Sequence, residues 1–578
     1  MSDRLTFGRL NAMDGADFTA ALGGVFEHAP WVAEAASKRR PYLSVDALHR
    51  AMVAVVEEAS HDRQLALIKA HPELGATKIA TDFSKAEQAA AGLAAVERAG
   101  QEILRDLNRA YRDRFGFPFI LAVKGRARAE IVAALEMRLH NPPETEFRTA
   151  LDEIAKIARF RLDALIAADP LDGVGARLLD QADQLGAITE EPGRVTRTFL
   201  TPQHRAAADR VIGWMRAAGM ASRLDGIGNV VGRYEGVTPG LPALLLGSHL
   251  DTVRDAGKYD GILGVLTAIE CVGALHARGT RLPFAIEVLG FGDEEGVRFQ
   301  STLLGSRAVA GTFDGAALDR RDTDGSSLGA ALRQFGLDPA TIPAIARRRD
   351  QVIGYLELHI EQGPVLEAEG LPVGIVTSIA GVTRAEFAIA GAAGHAGTVP
   401  MTLRHDALAA AAEMILAIEA RARAEPGLVA TVGRIAAAPG AVNVIAGEAR
   451  FSLDLRAADD GIRRAADDEI VAAAERIAAR RGVGLTIDRS FESPAVAASD
   501  HMMAAIEDAI RAFGIAPRRL ASGAGHDAMA MAALAPIGMI FVRCKGGISH
   551  NPLESITAGD AEIGARVLDR VIRDFRAA

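Results

Sequence analysis

The chain has 578 residues, 49% hydrophobic and 24% charged, which suits three or four domains and excludes wholesale disorder. A formal charge of -9 with both signs interspersed offers no basic stripe for nucleic acid, and no apolar run approaches the ~20 residues that span a bilayer. Only Cys271 and Cys544 are present, so a disulfide framework is excluded, and the charged first ten residues lack a signal-peptide core; a cytoplasmic protein acting on small molecules is expected.

Residues 1–168 read as an all-α domain. Segments 45–58 and 86–110 carry apolar residues at three- and four-residue spacing, and a last helix over 144–168 stops at Asp169-Pro170-Leu171-Asp172-Gly173. Four separated motifs stand out: Phe26-Glu27-His28, His71-Pro72-Glu73-Leu74-Gly75, Ser84 with Glu87 and Gln88, and Phe115-Gly116-Phe117-Pro118-Phe119-Ile120. His71, beside a helix-breaking proline, is held at a helix end, where an imidazole can act as an acid near neutral pH. Ser84 and Glu87 also fit a capping box, and His28 reads first as a packing residue.

Beyond the Pro/Gly cluster the texture changes. Short apolar runs at 241–246, 284–289, 352–358 and 537–542 end in glycine, histidine or acidic residues, and helical stretches separate them. That alternation predicts a largely parallel α/β sheet with active groups at the strand ends. A second set between them (384–389, a helix over 406–424, and 448–455) reads as an insertion. The expected domains are therefore 175–379 with 491–578, interrupted by an inserted α+β domain over 380–490.

Five metal-type side chains sit at or just after those strand ends. His249 and Asp251 lie in Gly247-Ser248-His249-Leu250-Asp251, Asp260 precedes Gly261 and a helix, and Glu294-Glu295 follow Gly292-Asp293. His359 lies in Leu358-His359-Ile360-Glu361-Gln362-Gly363-Pro364, and His550 in Gly546-Gly547-Ile548-Ser549-His550-Asn551-Pro552. Three imidazoles and two carboxylates can hold two divalent ions if one carboxylate bridges. Asp251, two residues from His249, is placed to orient that imidazole. Of the adjacent Glu294 and Glu295, one can bind metal while the other takes a proton from water.

These motifs resemble the M20 metallopeptidase-related amidohydrolases, in the branch that holds allantoate amidohydrolases and N-carbamoyl-L-amino-acid hydrolases, over roughly residues 175–578. The resemblance implies an M20-type metallohydrolase domain with an inserted lid and dimerisation domain, hence a homodimer. It implies two divalent ions, Mn or Zn with Co also compatible, one held by His249, Asp260 and His359 and the other by Asp260, Glu295 and His550. Glu294 would be the general base. His395, in Gly394-His395-Ala396-Gly397, would reach a partner subunit's site and stabilise the oxyanion. Gln362, Asn443 and Arg456 match substrate-binding positions, the last offering a two-pronged contact to a carboxylate. His526, in Gly523-Ala524-Gly525-His526-Asp527, is a further polar contact on the same basis.

The N-terminal motifs, together with the segment Lys156-Ile157-Ala158-Arg159-Phe160-Arg161-Leu162, resemble 2-oxo-4-hydroxy-4-carboxy-5-ureidoimidazoline (OHCU) decarboxylase over roughly residues 5–166. That resemblance implies a cofactor-free helical enzyme in which His71 donates a proton to the carbanion and Glu87 supports it. Pro72, Ser84, Gln88 and the stretch Phe119, Ile120, Leu121, Ala122 and Val123 would line the substrate. The segment between Pro72 and Ser84 is several residues shorter than is common in that family, which puts the loop over the pocket in doubt.

Together the resemblances imply two steps of purine breakdown: decarboxylation of OHCU to (S)-allantoin, and metal-dependent hydrolysis of allantoate to ureidoglycine, ammonia and carbon dioxide. The ring-opening step between them has no module, so direct channelling is not expected. The alternative is an N-carbamoyl-L-amino-acid hydrolase, or a ureidoglycolate amidohydrolase, with an inactive N-terminal module.

Overall fold

Ser44 and Ser60 each accept a hydrogen bond from the backbone N–H three residues on, and each starts a helix, Val45–Glu57 and His61–Ala70. In the computed structural model, which describes residues 4–5, 7–42, 44–74, 83 and 98–576, these helices belong to the first of two units, which ends at Gly173. The other long helices described there are Arg98–Phe115, Arg128–Arg138 and Pro143–Leu165. The expected helix over 86–110 is therefore seen from Arg98 onward, and its earlier part lies outside the described residues.

Phe18, Leu48, Met52, Ile68, Ile131, Ile154 and Leu162 fill the core of this unit. Two charge pairs are buried with them, Arg138 with Glu146 at 2.5 Å and Arg161 with Glu27 at 2.8 Å. Burial on this scale is tolerated because each guanidinium is paired and hydrogen-bonded.

The second unit, from Val174, is built on a nine-stranded sheet. Its centre runs Ala285–Phe291, Ala243–His249, Val352–Ile360, Ile537–Val542, all parallel. These strands are buried on both faces, which accounts for their unbroken apolar runs. The parallel sheet expected from the sequence holds for this centre; the flanks pair mainly antiparallel, except that Arg519–Ser522 runs parallel to Val373–Ile379. Val230–Tyr234 and Ala221–Leu224 add antiparallel on one side, joined by a tight turn at 225–229 that is too short for a parallel crossover. On the other side Val373–Ile379 runs antiparallel to Ile537–Val542 and is met by Val496–Ala497 and Arg519–Ser522.

The inserted sheet is antiparallel, in the order Ile435–Ala438, Glu448–Ala457, Gly381–Ala390, Gly484–Ser493, with Leu428–Thr431 also paired to Glu448–Ala457. Helices Ala407–Arg423 and Asp460–Arg481 pack with Phe387, Ile389, Leu453 and Leu455 on one face. The last strand of the insert reaches Ser493, slightly past the expected end at 490. No helix among the described residues is long and apolar enough to cross a membrane.

Candidate metal centre

The four central strands are parallel, so their C-terminal ends share one edge of the sheet, and the five metal-type residues converge there. His249 ends Ala243–His249, Glu294 and Glu295 follow Ala285–Phe291, His359 is near the end of Val352–Ile360, and His550 follows Ile537–Val542. Asp260 stands just before the helix Ile262–Ala277. One oxygen of Asp260, Oδ1, lies 3.3 Å from His249 Nε2 and 3.1 Å from His359 Nε2. The other, Oδ2, lies 3.3 Å from His550 Nε2, which is itself 3.3 Å from Glu295 Oε1. The donors thus form the sets His249–Asp260–His359 and Asp260–Glu295–His550, with a further grouping of His249, Glu294 and Glu295.

The residues fit two divalent cations on three grounds. Donor separations of 3.1–3.3 Å match the roughly 3.3 Å edge of a tetrahedron built on bonds of about 2.0–2.1 Å. The Nδ1 atoms of His249 and His359 are bonded to the carbonyls of Asp251 (3.0 Å) and Ile360 (2.9 Å), which turns both Nε2 lone pairs inward. The cluster also demands positive charge. Burial opposes a charge on His249, yet its bond to Asp260 and the field of Glu294 and Asp251 push it well above the usual histidine range. Burial likewise opposes ionisation of Asp260, but its imidazole partners hold it well below the usual carboxylate range. Bonds to Asp260 and Glu295 push His550 up to about 10.

Glu294 lines the cleft beside these donors, and burial pushes its carboxyl well above the ordinary range. The role expected of Asp251 changes in detail. Its carboxylate is 3.9 Å from His249 Nδ1; its main-chain carbonyl holds that ring instead. The carboxylate accepts the N–H groups of Glu294 (3.1 Å) and Glu295 (3.2 Å), so it fixes the turn that carries both acids. Asp293, Gln362 and His550 have φ of 60°, 56° and 54°, a concentration of left-handed non-glycine backbone at one site.

Gly261 shows how tightly this corner is built. Its φ is +70°, and a Cβ there would stand 2.5 Å from the His249 ring. Its N–H lies 3.1 Å from His359 Nε2.

The cleft beside the donors has a volume of about 320 Å³ and is walled on the far side by the insert. Gln362 lines it, but its amide nitrogen is spent on Asp260 Oδ2 (2.8 Å) and Ser549 Oγ (3.2 Å), while its Oε1 is buried without a partner. Arg456 lines it with Nε and Nη2 on Asp454 (2.6 and 3.0 Å) and Nη1 on the Gly523 carbonyl (2.6 Å). His526, expected as a substrate contact, is 1% exposed and does not line the cleft. It meets Ser522 Oγ at 2.7 Å and packs edge-on against the His359 ring, 4.6 Å between centroids, so it backs a metal-type histidine.

His395 and Asn443 also lie off the cleft lining. They are exposed on a small two-stranded pairing, Gly394–His395 with Val444–Ile445, and the Ala396 N–H donates to the Asn443 carbonyl.

Two groups escaped the sequence reading. Ser549 donates to Asp260 Oδ2 at 2.5 Å, and buried Glu554 accepts the N–H groups of Tyr259 and Asp260 at 2.8 and 3.2 Å. Both lie in the loop of His550, which was the available signal. Arg384 and Phe491 line the insert's wall of the cleft and carried no signal beyond an outward strand position.

In the first unit, His71 ends the helix His61–Ala70 and is 6% exposed. Its Nδ1 donates to the Leu67 carbonyl at 2.9 Å, and Nε2 has no partner among the described residues. Burial pushes it down to about 4, with Glu27 opposing and Arg161 and His28 adding. Glu27 and Arg161 are thus charged neighbours of His71 whose role the sequence reading left open. Phe119, Ile120, Leu121, Ala122 and Val123 are all buried, held by Arg138 on the Ile120 carbonyl and Glu153 on the Ala122 N–H, and Pro72 is half-buried. Ser84, Glu87 and Gln88 lie outside the described residues.

A mixed sheet thus brings histidine and carboxylate sets that could hold metal ions to one edge of its strands. The chain belongs to the peptidase family M20/M25/M40, which it matches over residues 245–574, and its N-terminal domain matches the OHCU decarboxylase family over residues 11–163. It is 46% identical to an N-carbamoyl-L-amino acid amidohydrolase of Geobacillus stearothermophilus, over 68% of this chain and 97% of that protein. It is 39% identical to allantoate deiminase 1 of Glycine max, over 65% of this chain and 84% of that protein. Among solved structures, an amidase of the hydantoinase/carbamoylase family from Burkholderia multivorans superposes with a TM-score of 0.66 at 34% identity, covering 69% of this chain and 97% of that one.

Replacing Gly261 with alanine forces a side chain into the His249 ring and places it at φ +70°, ψ -50°, a sparsely populated conformation that costs about 1–3 kcal/mol. Gly261→Ala is expected to weaken divalent-ion binding by about ten-fold or more while circular dichroism stays unchanged. Calorimetric titration of metal-free protein with Zn(II) or Mn(II) checks this, and an unaltered affinity would mean the corner relaxes freely.

Proposed function

We propose that the chain is a bifunctional enzyme of ureide breakdown, decarboxylating OHCU to (S)-allantoin and hydrolysing allantoate to ureidoglycine, ammonia and carbon dioxide. The observation that carries this reading is the presence in one chain of an OHCU decarboxylase domain and a hydrolase similar to proteins named allantoate deiminase. Two divalent cations on the Asp260-centred donors would supply the polarisation of the carbamoyl carbonyl and the acidification of water that such hydrolysis needs. Glu294, its basicity raised by burial, takes a proton from the attacking water and returns it to the leaving nitrogen. Asp251 keeps Glu294 in line by holding its N–H. Arg456, in the cleft wall, is assigned the substrate carboxylate through the N–H groups it does not spend on Asp454 and Gly523. A second reading, hydrolysis of N-carbamoyl-L-amino acids, is favoured by the 46% identity to the Geobacillus enzyme. Ammonia release from allantoate against N-carbamoyl-L-amino acids, with each divalent metal returned to stripped protein, separates the two.

In the decarboxylase domain His71 is the proposed proton donor. In the substrate-free state its depressed pKa keeps it neutral above about pH 4, with the proton on Nδ1. An anionic substrate beside Nε2 raises that affinity, so the proton is taken up with the substrate and handed to the carbanion as carbon dioxide leaves.

The site is proposed to be completed in a homodimer through the insert. Eight of the twelve large apolar side chains exposed among the described residues fall within 381–493, Met401, Leu403 and Val442 among them. Exposed apolar side chains concentrated in one domain are what a partner subunit would cover. His395 and Asn443 are exposed in the same segment, where a second subunit's cleft can receive them.

Three outcomes are expected. Glu294→Gln retains both metals by elemental analysis and loses hydrolysis by a factor of about 10² or more; turnover near wild type removes Glu294 from its role. Mixing inactive Glu294→Gln with inactive His395→Ala protein, after subunit exchange, restores part of the activity, because a mixed dimer holds one intact site. No recovery despite proven exchange would place His395 outside the partner's site. His71→Asn abolishes decarboxylation and spares amide hydrolysis; joint loss in a folded protein would refute two separate sites.

A further inference from the structure

The cleft wall supplied by the insert carries two guanidinium groups, and the structure distributes their donors unequally. Asp454 sits between them and accepts from both: Arg456 Nε at 2.6 Å and Nη2 at 3.0 Å, Arg384 Nε at 2.9 Å. Arg456 also spends Nη1 on the Gly523 carbonyl. Arg384 uses Nε alone, so its two terminal nitrogens carry no hydrogen bond to protein among the described residues, and its side chain is 51% exposed at the cleft. One carboxylate for two guanidiniums leaves this wall with a net positive charge.

A β-bulge brings an aromatic ring to the same spot. In the pairing of Gly484–Ser493 with Gly381–Ala390, Arg489 faces Ala385 and Phe491 faces Arg384, so Ser490 is the extra residue. In continuous register Phe491 would oppose buried Thr383 and point to the core side. The inserted residue turns it to the outer face, where it is 45% exposed, lines the cleft, and has the Arg384 guanidinium 5.4 Å from its ring centroid. A half-exposed ring beside a cation with spare donors suits a flat, polar, carbonyl-bearing group.

We propose that Arg384, with Phe491 beside it, is a specificity-determining residue that binds the second ureido arm of the substrate. It thereby selects a diureide carboxylate such as allantoate over an N-carbamoyl amino acid with an apolar side chain. The inference rests on the amidohydrolase reading above and deepens it. Arg456 serves the carboxylate, the metal-side donors face the arm that is cut, and the free edge of Arg384 donates to the carbonyl of the arm that is kept.

The test compares kcat/KM for allantoate and for N-carbamoyl-L-alanine in wild type, Arg384→Met and Arg384→Lys, with metal content measured in each. Where N-carbamoyl-L-alanine is not turned over, its inhibition constant supplies the comparison. Arg384→Met is expected to lower kcat/KM for allantoate by about ten- to a hundred-fold, chiefly through KM, as loss of a charged hydrogen bond does. The value for N-carbamoyl-L-alanine should stay within about three-fold, and Arg384→Lys should recover part of the loss. An equal fall for both substrates at unchanged metal content, or no fall for either, overturns the role of Arg384 while leaving the hydrolase reading intact. A wild-type enzyme that does not attack allantoate overturns the allantoate reading of the site, and the proposed selectivity with it.

Discussion

Asp260 is the constraint on which the catalytic half depends. Its two oxygens face three imidazole nitrogens, and two of those present lone pairs because main-chain carbonyls occupy their other ring nitrogen. Such an arrangement is repulsive unless cationic charge lies between the groups, either protons or metal. The protein fixes it at considerable cost: Asp260 is buried, its backbone is pinned by Glu554, and its outer oxygen receives Ser549 and Gln362. Three chain segments distant in sequence therefore converge on one carboxylate. The sheet makes this possible, since parallel strands deliver their C-terminal ends to one edge.

Much of this was legible in the sequence, and the reason is physical. A strand buried on both faces is an apolar run, so a histidine or acid at its end interrupts a pattern that packing alone would continue. His249, Glu294, Glu295, His359 and His550 were readable in that way. The functions of Asp251 and His526 were less so, because adjacency in sequence does not say whether a carboxylate or a carbonyl makes the bond, nor which side of a histidine faces the cleft. Asp251 holds His249 through its main chain and spends its carboxylate on the following turn. His526 lies in the Gly-rich loop expected to meet the ligand, yet is buried against His359.

The mixed pairing on the flanks of the main sheet and the cleft-facing side of the insert were hidden for a different reason. Only the Ala221–Leu224 and Val230–Tyr234 hairpin has its direction set by a short connection; the other flank pairings join strands distant in sequence, whose direction the apolar pattern does not report. On the insert, Arg384, Asp454 and Phe491 look like an ordinary outward face of a half-buried sheet; only the bulge at Ser490 and the presence of a facing domain make that face a wall. In the helical unit, the packing that buries His71 and places Glu27 and Arg161 in its field is a property of several helices together. No local spacing encodes it.

The two walls of the cleft are joined by only two stretches of chain, and these are stitched side by side. Val373–Ile379 leads through Ala380 into Gly381–Ala390, and Gly484–Ser493 returns to Val496–Ala497, which pairs again with Val373–Ile379. Buried Arg463 binds Asp460, Glu492 and the Thr383 hydroxyl, and Asp460 also accepts the Ala495 N–H, so both crossings are tied to the start of one helix. A Cβ on Gly381 would strike Asp460 at 2.4 Å, which leaves this junction no slack for a larger residue. Val382 and Ser493, the first cleft-lining residues beyond the crossings, pair with each other. The distance from the guanidinium wall to the metal-type donors is therefore set at this junction rather than by contacts across the cleft, apart from the single bond of Arg456 to Gly523. That separation puts the metal-type donors on the main sheet and the guanidinium wall on the insert, each carried by its own set of strands.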